Sequence, residues 1–327
     1  MVFQHDEPVL CCTFSPFKEK GRVLLATCGR EKVCRVWNAV SGECAFVLQH
    51  DAAVSYAEFS PRGDIIATCE SNRMHIWDLT SGDRTYTSPE YEIGSLCAFS
   101  PNGALLAAAS AASEGSSSEG NVYVHDTQTN ERIFTLTGHT VNVWKMAFSP
   151  DGTFLVTAGG RNMSGIDTTC RIWDIETRSC RFVLEGHTDF IYDIEVSADG
   201  DMLASACADR TCRLWNAKTG GCIFVLDGHL KAVTSCAFSP NSDKLVTSSE
   251  DRYCRVWSLR SGECIAVLDY HYRSVCRCVF SPDGSLIATS SGWGEGYEDH
   301  HCCLWDAVTH EHISVLEGHT SFIQDCA

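Results

Sequence analysis

The chain has 327 residues, of which 44% are hydrophobic and 20% charged, a globular rather than a disordered composition. With 25 basic against 42 acidic side chains its formal charge is −17, which argues against a general phosphate-binding surface and so against nucleic acid as a partner. The opening residues MVFQHDE lack the basic head and apolar run of a secretory leader, and no apolar stretch approaches the roughly 18 residues of a membrane helix. The expectation is a cytoplasmic or nuclear protein that does not engage a membrane.

From the N-terminus, Val2-Phe3-Gln4-His5-Asp6 mirrors the later Val47-Leu48-Gln49-His50-Asp51, so the chain opens on the tail of a unit that recurs. An apolar run then enters Phe14-Ser15-Pro16, and the phrase returns at Phe59, Phe99, Phe148, Phe238 and Phe280, with Val196-Ser197-Ala198 as a degenerate copy. A second anchor is tryptophan at Trp37, Trp77, Trp173, Trp215, Trp257 and Trp305, with His125 at the matching place in the third copy. The distance from tryptophan to the next Phe-Ser-Pro is about 23 residues and the whole period about 45, the length of a four-stranded repeat.

Each copy predicts four short strands. Strand a is an apolar run such as Val233–Phe238, ended by a Ser-Pro-Asp-Gly turn in which proline presets the backbone and glycine takes the left-handed position. Strand b is exemplified by Leu203–Cys207 and strand c by Cys212–Trp215, which alternates with period two. The turn Thr219-Gly220-Gly221 leads to strand d, Cys222–Leu226, and then to Gly228-His229. Turns this frequent leave no room for helices.

With Gly-His, Trp-Asp at Trp173-Asp174 and Trp305-Asp306, and this period, the chain resembles the WD40-repeat family of β-propellers. The resemblance implies an all-β, seven-bladed WD40 propeller with four antiparallel strands per blade. Its repeats run over residues 5–50, 51–90, 91–138, 139–186, 187–228, 229–270 and 271–318. Residues 319–327 repeat the opening of a blade, and both ends read as a piece of a longer WD-repeat protein.

The family also implies a buried hydrogen-bond relay in each blade, running from histidine through a strand-b hydroxyl to the strand-c tryptophan, with an aspartate from the b–c turn. The residues at these places are His139, Thr157, Asp167 and Trp173; His187, Ser205, Asp209 and Trp215; His229, Thr247, Asp251 and Trp257; and His271, Thr289, Asp299 and Trp305. Glu31 stands at the aspartate place of the first copy, and the second and third copies depart further. A Ser-His-Asp set invites a hydrolase reading, but near-copies of one set across the repeats cannot each be an active site, and no nucleophile elbow accompanies any of them. The relay is therefore read as structural, with no catalytic residues and no cofactor.

Of the twenty cysteines, thirteen fall on three repeat positions. They lie three residues before the tryptophan (Cys34, Cys170, Cys212, Cys254, Cys302), seven after it (Cys44, Cys180, Cys222, Cys264) and two before the strand-a phenylalanine (Cys12, Cys97, Cys236, Cys278). All are expected as core fillers in a reducing compartment rather than a disulfide ladder. Glu298-Asp299-His300-His301-Cys302-Cys303 resembles a palmitoyltransferase signature, but the membrane spans and zinc domain of that family are lacking, and no metal is expected there.

Strand order places the d–a and b–c loops on one face. The b–c connection is lengthened in the third, fourth and seventh copies by Ala112–Asn121, Gly160–Thr168 and Gly292–His300, all on the face carrying Gly-His. The position four before the strand-a phenylalanine, at the mouth of the family's central channel, holds Leu10, Ser55, Ser95, Trp144, Tyr192, Thr234 and Cys276. Exposed aromatics here mark a partner-binding surface. Its candidate residues are Trp144, Phe190, Tyr192, Asp189, Trp293 and Tyr297. Neighbouring Asp193, Glu114, Glu119, Glu295 and Glu298 add negative charge that favours basic peptide segments.

The function expected is a non-catalytic scaffold for protein or peptide partners within a larger complex. The alternative is a substrate receptor of a cullin-type ubiquitin ligase, since residues 245–260 and 203–218 resemble its adaptor-binding WD box.

Overall fold

The computed structural model describes residues 5, 7, 9–16, 23–70, 72–89, 93–110, 120–162, 165–293 and 301–317. Every regular element among them is a strand. In the first part of the chain these are β1 (Val9–Phe14), β2 (Leu24–Gly29), β3 (Val33–Asn38), β4 (Cys44–Gln49), β5 (Tyr56–Phe59), β6 (Ile65–Cys69), β7 (Met74–Asp78), β8 (Arg84–Thr87), β9 (Ile93–Phe99), β10 (Leu105–Ser110), β11 (Gly120–Asp126), β12 (Arg132–His139) and β13 (Val143–Phe148). There follow β14 (Phe154–Gly159), β15 (Arg161–Asn162), β16 (Gly165–Ile166), β17 (Cys170–Asp174), β18 (Ser179–Leu184), β19 (Ile191–Val196), β20 (Met202–Cys207), β21 (Thr211–Asn216) and β22 (Cys222–Asp227). The last are β23 (Val233–Phe238), β24 (Lys244–Ser249), β25 (Cys254–Ser258), β26 (Cys264–Leu268), β27 (Ser274–Phe280), β28 (Leu286–Trp293), β29 (Cys302–Asp306) and β30 (His312–Leu316).

The fold class is all-β, with seven blades of four antiparallel strands ordered as the repeat predicts, from β1-β2-β3-β4 to β27-β28-β29-β30. The one added sheet is the ribbon β15-β16, which folds the Gly160–Thr168 insertion of the fourth blade into a small hairpin. The other two long insertions, and the surplus partial blade at 319–327, lie largely or wholly outside the described residues. The chain divides into two compact units, the first running to Phe148 and the second beginning at Ser149.

Local chemistry explains the recurring phrases. In Phe-Ser-Pro the serine closes the a–b turn: Ser197 Oγ accepts the Met202 N–H at 2.9 Å and donates to Asp199 at 2.5 Å. Ser149 and Ser281 repeat this with Phe154 and Leu286, bonding Asp151 and Asp283. Gly200 completes the turn at φ +75°, where a side chain is strained. The acid or amide after the strand-c tryptophan caps the c–d turn, as Asp306 Oδ1 does by accepting the Val308 and Thr309 N–H groups at 2.8 and 2.7 Å.

The core lies between consecutive sheets. One layer joins Cys28, Val36 and Leu48 of the first blade to Phe59, Ile66 and Trp77 of the second. Another joins Leu214 and Leu226 of the fifth to Phe238, Leu245 and Trp257 of the sixth. Strand b is covered on both faces, as in β20, where Leu203 to Cys207 are all buried, so it needs small residues such as Ala204, Ser205 and Ala206. A buried apolar side chain of phenylalanine size contributes about 1.5–3 kcal/mol, so these layers dominate the stability.

One expectation about the cysteines is corrected. Those before the tryptophan are buried in the first, fourth, fifth and sixth blades, and the nineteen described cysteines are all free. The set seven residues after the tryptophan (Cys44, Cys180, Cys222 and Cys264) is instead exposed. A bulge is the cause: register slips at each tryptophan, between Leu214 and Trp215 for example, and pairs it with the cysteine at the start of strand d. Each thiol then faces solvent and donates to the carbonyl two residues on, at 3.3–3.4 Å.

Consecutive first strands are also tied by carboxylates. Glu195 Oε2 accepts the Phe238 N–H at 2.6 Å, and Glu58 Oε1 accepts that of Phe99 at 3.1 Å while Glu58 Oε2 takes the Tyr56 hydroxyl at 3.2 Å. Burial pushes the Glu58 carboxyl up to about 7, against the pull of these donors and of Lys145. A carboxyl whose folded value is raised stabilises the fold fully below its unfolded value and loses that contribution as pH rises through 7. Wild type is expected to lose roughly 2–3 kcal/mol between pH 4.5 and 8 from this group, and Glu58→Gln to flatten that part of the profile, as read by urea unfolding across pH.

Candidate partner-binding face and its hydroxyl-centred relay

In the fifth blade, strand b carries Ser205 and strand c brings the Trp215 indole against it, so that Nε1–H donates to Ser205 Oγ at 2.9 Å. His187, on the loop entering the blade, meets the same oxygen through Nε2 at 2.7 Å and Asp209 Oδ2 through Nδ1 at 2.7 Å. Asp209 is held in turn by the Thr211 N–H and hydroxyl on its Oδ1, at 3.0 and 2.7 Å. The sixth blade repeats the set: His229 bonds Thr247 at 2.8 Å and Asp251 at 2.9 Å, and Trp257 donates to Thr247 at 2.9 Å.

Burial pulls the Asp251 carboxyl upward, but hydrogen bonds from His229 and the Leu230 N–H outweigh it and hold it at about 2; Asp209 is held lower still by His187 and Thr211. In the seventh blade His271 and Trp305 meet Thr289 at 2.8 and 3.0 Å, while Asp299 lies outside the described residues. In the fourth, Trp173 donates to Thr157 at 2.8 Å and Asp167 accepts the Thr169 N–H and hydroxyl; His139 is buried at the end of β12.

The departing blades solve the same problem with other side chains. In the first, His5 and Trp37 meet Thr27 at 2.8 and 2.7 Å, and the longer Glu31 takes the aspartate's place by also pairing with Arg35. In the second, His50 and Trp77 meet Thr68 at 2.8 and 2.9 Å. Its shortened b–c turn supplies Glu70, bonded to a second buried histidine, His75, at 3.2 Å. Burial pushes both His50 and His75 down to about 4, so neither carries charge at neutral pH. His75 occupies the strand-c place of Arg35, Arg171 and Arg213, a substitution the sequence motif gives no reason to single out.

At the same ends of the sheets stand the residues expected to meet a partner. Trp144, on β13, is 48% exposed. Tyr192 is half-buried and stands edge-on to Phe190 with ring centroids 4.9 Å apart. Phe190 itself is buried beneath Tyr192, so it supports the surface rather than forming it. Asp189 is partly exposed and accepts the Phe190 N–H at 2.7 Å.

Asp193 does not offer its carboxylate to a partner. Its Oδ2 accepts from Ser235 Oγ at 2.8 Å, from the Cys236 N–H at 3.3 Å and from Arg277 at 2.9 Å, binding three successive first strands together. Trp293 ends β28, and Tyr297, Glu114, Glu119, Glu295, Glu298 and His300 lie outside the described residues.

A signal missed by residue spacing is the reason the position four before the phenylalanine is special. The a–b register skips one residue between Val9 and Cys11, Ile191 and Asp193, Val233 and Ser235, and Val275 and Arg277. The skipped residues are Leu10, Tyr192, Thr234 and Cys276, each the unpaired residue of a β-bulge, a device that re-aims a side chain.

The family model described as "WD domain, G-beta repeat" matches residues 1–38, 42–78, 130–174, 178–216, 220–258 and 262–306. The chain belongs to the WD40 family. The unmatched stretch holds most of the third repeat, where His125 replaces tryptophan and is buried in its stead. Over 157 residues, 46% of the chain, it is 28% identical to the periodic tryptophan protein 2 homolog of Dictyostelium discoideum, covering 16% of that protein. It is 28% identical over 170 residues to the target of rapamycin complex subunit LST8 of Bos taurus, 48% of each chain. It is also 26% identical over 180 residues to the WD repeat-containing protein AAC3 of Dictyostelium discoideum, which is 53% of this chain and 34% of that one. The chain thus spans about half or less of the length of these relatives.

The relay predicts a specific stability result. Thr247→Ala removes the oxygen that serves both His229 and Trp257 and should cost about 2–3 kcal/mol in chemical denaturation, whereas Thr247→Ser, which keeps the hydroxyl, should cost less than about 1 kcal/mol.

Proposed function

We propose that this WD40 protein is a non-catalytic scaffold that binds protein or peptide partners at the sheet ends carrying the Gly-His loops. The observation that carries the reading is Trp144, an indole left 48% exposed on a first strand whose neighbours Val143 and Met146 are buried. Exposed tryptophan of this kind is the residue type that anchors interfaces. Tyr192, at its bulge, offers a second aromatic in the other compact unit.

The Ser/Thr-His-Asp sets give no support to an enzyme. Ser205 and Thr247 are fully buried, and their oxygens are occupied by histidine and tryptophan, whereas a nucleophile must reach its substrate. The name of the LST8 relative, a complex subunit, supports membership of a larger assembly. A net charge of −17 draws basic segments at long range, with Asp189 the described, partly exposed acid beside the aromatic pair. With this reading goes the proposal of a cytoplasmic or nuclear setting, where thiols are kept reduced.

The ligase-receptor reading gains nothing comparable. Residues 203–218 and 245–260 are strands b and c of the fifth and sixth blades, with Leu203, Trp215, Leu245 and Trp257 buried in the core layers.

Quantitative affinity capture should show the partners of wild type depleted at least several-fold in Trp144→Ala, in Tyr192→Ala or in the double variant, after melting curves are matched. Retention of every partner by all three variants would remove this face from the function.

A further inference from the structure

Beside the relay, the fifth blade differs from the sixth in the residue two before the aspartate. Where the sixth has Ser249, whose oxygen accepts the Asp251 N–H at 3.0 Å, the fifth has Cys207, whose sulfur accepts the Asp209 N–H at 3.3 Å and donates to the Asp189 carbonyl at 3.2 Å. The substitution brings a third kind of donor to the pair already joined there. A ligand atom from each of His187, Cys207 and Asp209 lies within 4.8 Å of the other two, and among the described residues no other group of three His, Cys, Asp or Glu side chains converges so closely.

We propose that His187, Cys207 and Asp209 bind one transition-metal ion of the zinc class. One nitrogen, one sulfur and one carboxylate oxygen form a borderline-soft set that suits Zn²⁺, Cd²⁺ or Co²⁺ and not Mg²⁺ or Ca²⁺, which take oxygen ligands. Three protein ligands leave the remaining coordination to water, the pattern of an open rather than a closed zinc site.

Each ligand is also held from behind, as metal ligands are. His187 presents Nδ1 while its Nε2 is fixed on Ser205 Oγ, itself anchored by Trp215. Asp209 presents Oδ2, which also accepts the Thr188 N–H at 3.1 Å, while Thr211 holds Oδ1 through two bonds. Cys207 is fully buried on β20, so its sulfur does not compete with the exposed thiols for bulk reagents.

Protons balance simply. With the ion bound, Nδ1 of His187 is unprotonated and the ring proton sits on Nε2, facing Ser205 Oγ. The thiol proton leaves to solvent, so one proton is released per ion bound. The ion replaces the His187–Asp209 hydrogen bond with bonds to both partners, and the loop that carries His187 stays tied to the b–c turn.

The test uses the full chain without an affinity tag. Titration with Co²⁺ should give a thiolate-to-cobalt charge-transfer band saturating at one equivalent, and Zn²⁺ should displace it. Cys207→Ser reproduces the serine that the sixth blade tolerates at this place, so it should fold normally, lose the band and bind zinc roughly 10-fold or more weakly by equilibrium dialysis. Cys222→Ser, which removes an exposed thiol of the same blade, should behave as wild type. A wild type without the band, a band that survives Cys207→Ser, or a band lost in Cys222→Ser overturns the site.

Discussion

One oxygen on the second strand of a sheet has two tasks that no other atom can take over. It accepts the indole N–H of the strand beside it and meets the imidazole of the loop that enters the blade. Buried between two sheets, a tryptophan N–H without an acceptor would cost what its hydration was worth, and the same holds for the histidine nitrogen. The hydroxyl settles both demands at once and fixes the position of the loop relative to the strands. Six blades keep this arrangement, from Thr27 to Thr289, at least for the tryptophan bond. The loops at that end of each sheet inherit their geometry from it.

The acid behind the histidine is far more negotiable than the hydroxyl. Aspartate serves in the fifth and sixth blades, glutamate with an arginine in the first, and glutamate with a second histidine in the second. The variation makes sense because the acid sits in the turn, where chain length can shift and solvent is near. The hydroxyl sits in a strand sandwiched on both faces, where its position cannot shift and only serine or threonine supplies it. The third repeat, with His125 for tryptophan, has lost the indole donor that made the hydroxyl necessary, and Ala108 stands at the hydroxyl's place in its strand b.

Blade count, strand order and the complete relays were legible from the sequence because they depend on residue type at fixed spacing, and spacing survives as long as strands keep their register. Register slips were not legible. The bulge at each strand-c tryptophan turns the thiols of Cys44, Cys180, Cys222 and Cys264 outward, although their fixed place in the repeat reads as a core position. The burial of Phe190 beneath Tyr192 and the capture of Asp193 by Arg277 escaped for another reason: both depend on contacts that do not repeat from copy to copy. The β15-β16 ribbon shows that an insertion read only as extra length can carry structure of its own.

The bulges in the first strands separate two kinds of inheritance. A residue in the ladder answers to its cross-strand partner and to the sheet packed against it, so its replacement is tested by folding. Leu10, Tyr192, Thr234 and Cys276 are skipped by the ladder, and within this one chain the same place is filled by an aliphatic, an aromatic, a hydroxyl and a thiol side chain without change to the pairing around it. Such positions can drift between related proteins, and even between repeats of one protein, at little risk to the scaffold. Divergence in what these proteins recognise can thus run ahead of divergence in how they fold.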